Sequence, residues 1–251
     1  MVRGIAFDLF DTLVDQNHDR LGPVVVEGQQ VGATTPALHE LARHEFGVEL
    51  SVLDFAERIK RVDAELRVET IDRGIELSTL DRFTALGTRL GQSEVLEFAH
   101  ALTEAHMGIL YEACTVPAHH EAIMTSLAVD YALALCSNFT HAETARRILR
   151  EAELAAHLDA IVISEEMGIR KPRREIFDRV VEALEIEPRD ILHVGDNLVA
   201  DVAGAAAVGM RTVWLTRQIA DPEKALDEYE GPRPDFALED LMDLPVLVAR
   251  L

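Results

Sequence analysis

Phe7-Asp8-Leu9-Phe10-Asp11-Thr12-Leu13-Val14-Asp15 follows directly on a short apolar run that begins at Val2. The run reads as a buried strand whose carboxyl end carries acid. Four further runs have the same look, at residues 130–136, 160–163, 191–194 and 212–215. They are short and nearly all apolar, without the alternation of a half-solvated strand. Helical patterns separate them at about 142–151, 174–184 and 199–208. Continuous apolar strands alternating with helices imply a parallel sheet covered on both faces.

Between the first and second strand the periodicity is helical throughout. Thr35 can cap a helix with Pro36 at its first position, and Gly47 can close it. Ser51 with Asp54, and Ser78 with Asp81, have capping spacing. Val52, Phe55, Ile59, Val62 and Leu66 form an apolar stripe at helical spacing, and a fourth helix is expected near 93–110. Residues 21–34 read as a loop or small hairpin. Residues 220–234 read as a surface connection, and 239–249 as a final helix. The expected fold is therefore α/β: a Rossmann-like parallel sheet core with helices on both faces, plus an inserted all-helical cap domain. The core takes residues 1–15 and 116–251, the cap 16–115.

The 251 residues carry 24 Lys and Arg against 45 Asp and Glu, a formal charge of −21. Such a surface repels phosphodiester backbones and anionic bilayers, so neither nucleic acid nor membrane is the expected partner. Two Cys exclude a disulfide scaffold or a Cys-rich zinc module. No apolar run approaches the ~18 residues of a membrane span, and the amino terminus lacks signal-peptide character. The expectation is a cytoplasmic protein, monomer or homodimer, acting on a small molecule.

Ligands of open parallel sheets bind outside the carboxyl ends of the strands. There the sequence places Asp8, Asp11 and Thr12, then Ser137 and Asn138, then Asp196 with Asp201. Lys171 lies just before a helix. A carboxylate can attack phosphorus to form an aspartyl-phosphate. Mg²⁺ offsets the repulsion between such a nucleophile and its anionic substrate, and it prefers carboxylate oxygens. Asp8 fits as nucleophile and ligand, Asp196 as second ligand. Asp201 fits as holder of a metal-bound water or of Lys171, and Lys171 as the neutralising cation. Thr12, Ser137 and the backbone around Asn138 fit as donors to phosphoryl oxygens. Glu165 and Glu166 read as residues that orient the loop before Lys171. Cys136 reads as core, and His119-His120 as a solvated pair.

These motifs resemble the haloacid dehalogenase superfamily, with a helical cap inserted after the first strand. Four match in order: Phe7 to Asp15, Ser137-Asn138, Lys171-Pro172, and Gly195-Asp196 with Asp201. The resemblance covers nearly the whole core, and in the cap only its helical character. It implies a hydrolase working through Asp8, most simply a Mg²⁺-dependent phosphatase, with Asp8, the Phe10 carbonyl, Asp196 and Asp201 at the metal. One position departs. Phosphatases of the family usually carry a second Asp two residues after the nucleophile, where this chain has Phe10. Asp11 can replace that proton donor only if the loop turns it inward; on a regular strand it would point away from the site. The family's 2-haloacid dehalogenases also lack the second acid, and attack carbon without metal. A dehalogenase is thus the alternative, with a catalytically weak phospho-ligand binder a third reading.

Overall fold

The computed structural model describes residues 1–251, which divide into two compact units: Met1–Asp15 with Thr115–Leu251, and Gln16–Cys114. The first unit is built on a six-stranded sheet. Its strands are β1 (Gly4–Phe7), β2 (Ala132–Ser137), β3 (Ala160–Ile163), β4 (Ile191–Gly195), β5 (Arg211–Leu215) and β6 (Phe236–Leu238). Their order across the sheet is β6, β5, β4, β1, β2, β3, and every pairing is parallel.

The chain starts in the middle of this sheet and builds outward on both sides. Phe7 is in register with Leu135 of β2 and with Val194 of β4. The residues that follow β1, end β2 and follow β4 therefore emerge side by side at one edge. Ala6 packs in a cluster with Ala134, Cys136, Val162 and the helix residues Ile176, Phe177 and Val180. Its neighbours Ile5 and Phe7 point to the opposite face and are equally buried, so both faces are covered. This accounts for the unbroken apolar runs in the sequence.

In this first unit three details differ from the sequence reading. The expected helix over 199–208 opens as a wide π-type turn, Leu198–Ala203, and becomes α-helical only at Gly204–Val208. Asn197 caps the turn by accepting from the N–H groups of Val199 and Ala200 at 3.0 and 2.8 Å. The carboxyl-terminal segment forms β6, then a 3₁₀ turn, Leu241–Asp243, and a short helix, Leu244–Val248, in place of one long helix. β6 is too short and too half-exposed to leave an apolar run; its parallel pairing with β5 defines it. Within 220–234 a helix, Pro222–Asp227, is present.

The second unit holds four long helices, Thr35–Phe46, Val52–Glu69, Thr79–Arg89 and Val95–Glu112. The first has Thr34, not Thr35, at the position before its start, with no side-chain cap there; Thr35 is already helical, and left-handed Gly47 ends it. Ser51 accepts from the Asp54 N–H at 3.1 Å, and Ser78 from that of Asp81 at 3.0 Å. Phe55, Phe83, Phe98, Leu38 and Leu102 fill the core between these helices. Residues 21–34 contain a hairpin, Val24–Val26 with Gln29–Val31, whose turn residues Glu27 and Gly28 both have positive φ. No helix is long and apolar enough to cross a membrane.

Candidate active site

The edge where β1, β2 and β4 end is organised around one ammonium. Lys171 Nζ donates to Asp8 Oδ1 at 2.6 Å, to Asp201 Oδ1 at 2.6 Å and to the Cys136 carbonyl at 2.7 Å. Three protons meet three oxygens, the condition under which a buried charge is tolerated. The Lys171 and Asp201 side chains are each only 1% exposed. Burial alone would strip the Lys171 proton, but Asp201 and Asp8 together outweigh it and hold the amine firmly protonated. For Asp201, burial works against the charge, and Lys171 and His193 overcome it, holding the carboxyl well below the usual range.

The local sequence explains how Lys171 reaches this point. Gly168 adopts φ 68° and closes the short helix Ser164–Met167 after β3. Asn138, just beyond β2, then clamps the backbone. Its Oδ1 accepts from the Lys171 N–H at 2.7 Å, and its Nδ2 donates to the Lys171 carbonyl at 3.0 Å. The Asn138 side chain is thereby committed to positioning Lys171, which leaves only the backbone around Asn138 for the expected contact with a ligand. Glu165 and Glu166 tie the segment before Lys171 to the next element. Glu165 accepts from the Ala142 N–H, and Glu166 pairs with Arg146 at 2.9 Å, so both anchor the helix after β2.

Asp201 holds more than Lys171. Its Oδ1 also accepts from His193 Nε2 at 2.9 Å, and its Oδ2 from the Asn197 N–H at 3.1 Å. His193 escaped the sequence reading; its one signal was a polar residue inside the apolar run of β4. Gly195 makes the arrangement sterically possible, since a methyl group there would overlap the Asp201 carboxyl.

Asp196 is the counterpart without a cation of its own. Its backbone carbonyl is fixed by Trp214 Nε1 at 2.7 Å. Burial first, then the charges of Asp8, Asp201 and Asp11, push its carboxyl up to about 8. Carboxylate oxygens of Asp8, Asp196 and Asp201 lie within 4.8 Å of one another. An all-oxygen set short of positive charge suits a hard dication such as Mg²⁺.

The remaining expected residues divide. The hydroxyls of Thr12 and Ser137 are buried without a hydrogen-bond partner, which leaves them free to donate to a ligand. The Phe10 ring packs on Phe139, with centroids 4.7 Å apart. Asp11 is not on a strand: β1 ends at Phe7, and Asp11 has φ 55° in the following turn. The alternation that would point it away therefore does not apply, and its charge is felt by Asp196. Cys136 is core: burial pushes its thiol up to about 12, far from a reactive thiolate.

A family model described as haloacid dehalogenase-like hydrolase matches residues 2–209. The chain belongs to that family. Among curated relatives, it is 36% identical over 115 residues to the phosphoserine phosphatase of Thermus thermophilus, covering 45% of this chain and 43% of that protein. It is 30% identical over 100 residues to the glyceraldehyde 3-phosphate phosphatase of Pyrococcus abyssi, covering 40% and 42%. The alignments thus span less than half the length of these relatives. Among solved structures, a 2-haloacid dehalogenase from Pseudomonas syringae pv. Tomato DC3000 superposes with a TM-score of 0.77 at 21% identity, over 100% of this chain and 99% of that one. At that identity the likeness establishes a shared fold.

The buried triad sets a stability prediction. Lys171→Ala leaves Asp8 and Asp201 facing each other without a cation, which costs about 3–5 kcal/mol. Burial already holds the Asp8 carboxyl above its ordinary value; without the amine it rises further and Asp201 loses the main charge that holds it low, so the deficit against wild type grows as pH increases past the ordinary carboxyl range. Urea unfolding is expected to show a larger deficit at pH 8 than at pH 5.

Proposed function

We propose that the protein is a Mg²⁺-dependent phosphatase of small phosphorylated metabolites, working through Asp8. The observation that carries this reading is Asp196, a carboxylate drawn up to about 8 beside two others, with Lys171 already fully engaged. A metal-free dehalogenase needs no such surplus of negative charge. The phosphatase names of the curated relatives point the same way.

Asp8, the Phe10 carbonyl and Asp196 would hold the ion, with Asp201 bordering it while anchoring Lys171. Bound Mg²⁺ would neutralise phosphoryl charge at this acidic edge. Asp8 attacks phosphorus, the bond to the leaving oxygen breaks, and an aspartyl-phosphate forms. Water then releases inorganic phosphate and restores Asp8. Lys171 screens Asp8 from the incoming anion. Thr12 and Ser137 donate to the phosphoryl oxygens, where transition-state charge develops. Phe10 can give the leaving oxygen no proton, so Asp11 or water supplies it. The helical unit Gln16–Cys114 would serve as the substrate-selecting cap. Cys114 and Cys136 form no disulfide, which suits a cytoplasmic setting.

The second reading, a 2-haloacid dehalogenase, draws on Phe10, whose aromatic packing on Phe139 fills the place of the usual acid. A panel of phosphomonoesters and 2-haloacids, each with Mg²⁺ and with chelator, separates the two. Phosphate release that needs Mg²⁺ and is lost in Asp8→Asn is the expected result. Halide release undiminished by chelator would replace the phosphatase with the dehalogenase.

Phe10→Asp is expected to raise phosphatase kcat, by up to ~10²–10⁴-fold if proton transfer limits turnover. Phe10→Ala, which removes the ring without adding an acid, serves as the control and is expected to give no gain.

Metal affinity should depend on pH with a definite sign. Below about 8 Asp196 holds a proton that Mg²⁺ must displace. Binding is then expected to weaken roughly tenfold for each pH unit below that value. Calorimetric Mg²⁺ titrations at pH 6, 7 and 8 measure this, and an affinity constant across the range would contradict it.

A further inference from the structure

Away from the Asp8 centre, His119, His120 and Asp240 each bring one ligating atom to within 4.8 Å of the others. His119 precedes and His120 opens the helix His120–Leu127, while Asp240 caps the turn Leu241–Asp243 near the other end of the chain. The sequence reading took the His pair as solvated; His120 is in fact fully buried.

The decisive atom is His120 Nε2. His120 Nδ1 lies 2.9 Å from the Leu13 carbonyl, which can only accept, so Nδ1 carries the proton. A second proton on Nε2 would be a buried charged donor with nothing to accept it, so the ring is neutral. Nε2 is therefore a bare lone pair, and it is buried with no partner. A buried acceptor left unmade costs free energy without return. An imidazole whose other N–H is fixed by a carbonyl is also the usual form of a metal-ligating histidine.

The other two ligands are ready beside it. His119 Nε2 lies 2.8 Å from Asp240 Oδ1, and their side chains are 36% and 28% exposed, which gives an ion a path of entry. Burial would raise the Asp240 carboxyl, but the Met242 N–H, His119 and Arg217 outweigh it and keep it ionised. Two features oppose a cation: the positive end of the helix, and Arg217, whose Nε is 3.6 Å from Asp240 Oδ2. Arg217 is itself paired with Asp15 at 2.6 Å, so the two carboxylates outnumber it.

We propose that His119, His120 and Asp240 form a second metal site, for a borderline transition-metal dication such as Zn²⁺. Two imidazoles and one carboxylate, completed by water, suit Zn²⁺ and not the oxygen-seeking Mg²⁺. On binding, the proton on His119 Nε2 leaves for solvent or for Nδ1, and the His119–Asp240 hydrogen bond gives way to two metal bonds. The ion would staple the start of the helix to the carboxyl-terminal turn. Through the Leu13 carbonyl it would also brace the segment that begins at Asp8.

The test uses the full-length protein, stripped with chelator and titrated with Zn²⁺ against a chromophoric competitor, and with Co²⁺ followed by its visible ligand-field bands. One Zn²⁺ equivalent is expected in the wild type and in Asp196→Asn, with the Co²⁺ bands of a nitrogen–oxygen site. His120→Gln and Asp240→Asn should weaken Zn²⁺ by more than about 100-fold, beyond the 10–100-fold cost of losing a supporting group. His119→Gln, at a half-exposed position, gives the same reading if the buried variant fails to fold. Failure of the wild type to bind Zn²⁺ overturns the proposal. So does unchanged affinity in these variants, or loss of the bound Zn²⁺ in Asp196→Asn, which would place it at the Asp8 centre.

Discussion

A lysine ammonium buried between two carboxylates and a carbonyl is the constraint on which the active edge depends. Lys171 leaves no proton unpaired, and each oxygen it meets comes from a different part of the sheet: the end of β1, the strand β2, and the turn after β4. A charge at this depth is tolerable only when every one of its hydrogen bonds is made. The chain accordingly spends side chains on holding it. Asn138 clamps the Lys171 backbone, His193 and the Asn197 N–H hold Asp201, and Gly195 gives Asp201 room. The wide turn at Leu198–Ala203 belongs to the same network, because it carries Asp201. Wide turns of this kind are frequent at functional sites.

Against that satisfied triad, Asp196 stands out. It shares the neighbourhood of Asp8 and Asp201 but has no cation of its own, and it answers by holding its proton to about 8. The same acidic edge thus contains a closed half, where every proton of Lys171 meets an oxygen, and an open half that an external cation would balance. Thr12 and Ser137 add buried hydroxyls with nothing yet to bond. Buried polar groups without partners are rare in a settled fold, and each calls for an explanation such as a ligand, an ion or a water. His120 Nε2 belongs to the same class of orphaned atoms, at a different point on the core.

Phe10 sits at the hinge between family likeness and individual chemistry. Its aromatic contact with Phe139 is good packing, yet packing supplies no proton. Asp11, one residue on, lies in a left-handed turn, so strand alternation says nothing about where it points. The proton economy of the site therefore differs from that of a relative with two acids, even where the remaining polar residues stand in the same order.

The sequence by itself determined the parallel sheet, because strands buried on both faces must be apolar at nearly every position, and β1 to β5 are, apart from Ser137, His193, Arg211 and Thr212. It determined the helix starts at Ser51 and Ser78, because capping acts within one turn. It also determined the order of Asp8, Ser137, Lys171, Asp196 and Asp201 along the strand ends. Only the tertiary structure decided what these residues do for one another. β6 escaped notice because a three-residue strand is defined by its neighbour and not by its own pattern. His193 looked like one more buried strand residue until Asp201 arrived from the next turn. The Asn138 side chain had no assigned partner until the Lys171 backbone met it from the other side. His120 looked solvated until the carbonyl of Leu13, more than a hundred positions earlier, accepted a hydrogen bond from it. Local periodicity reports burial and backbone shape, whereas the partner of a polar atom is chosen by chain segments that meet only once the sheet has formed.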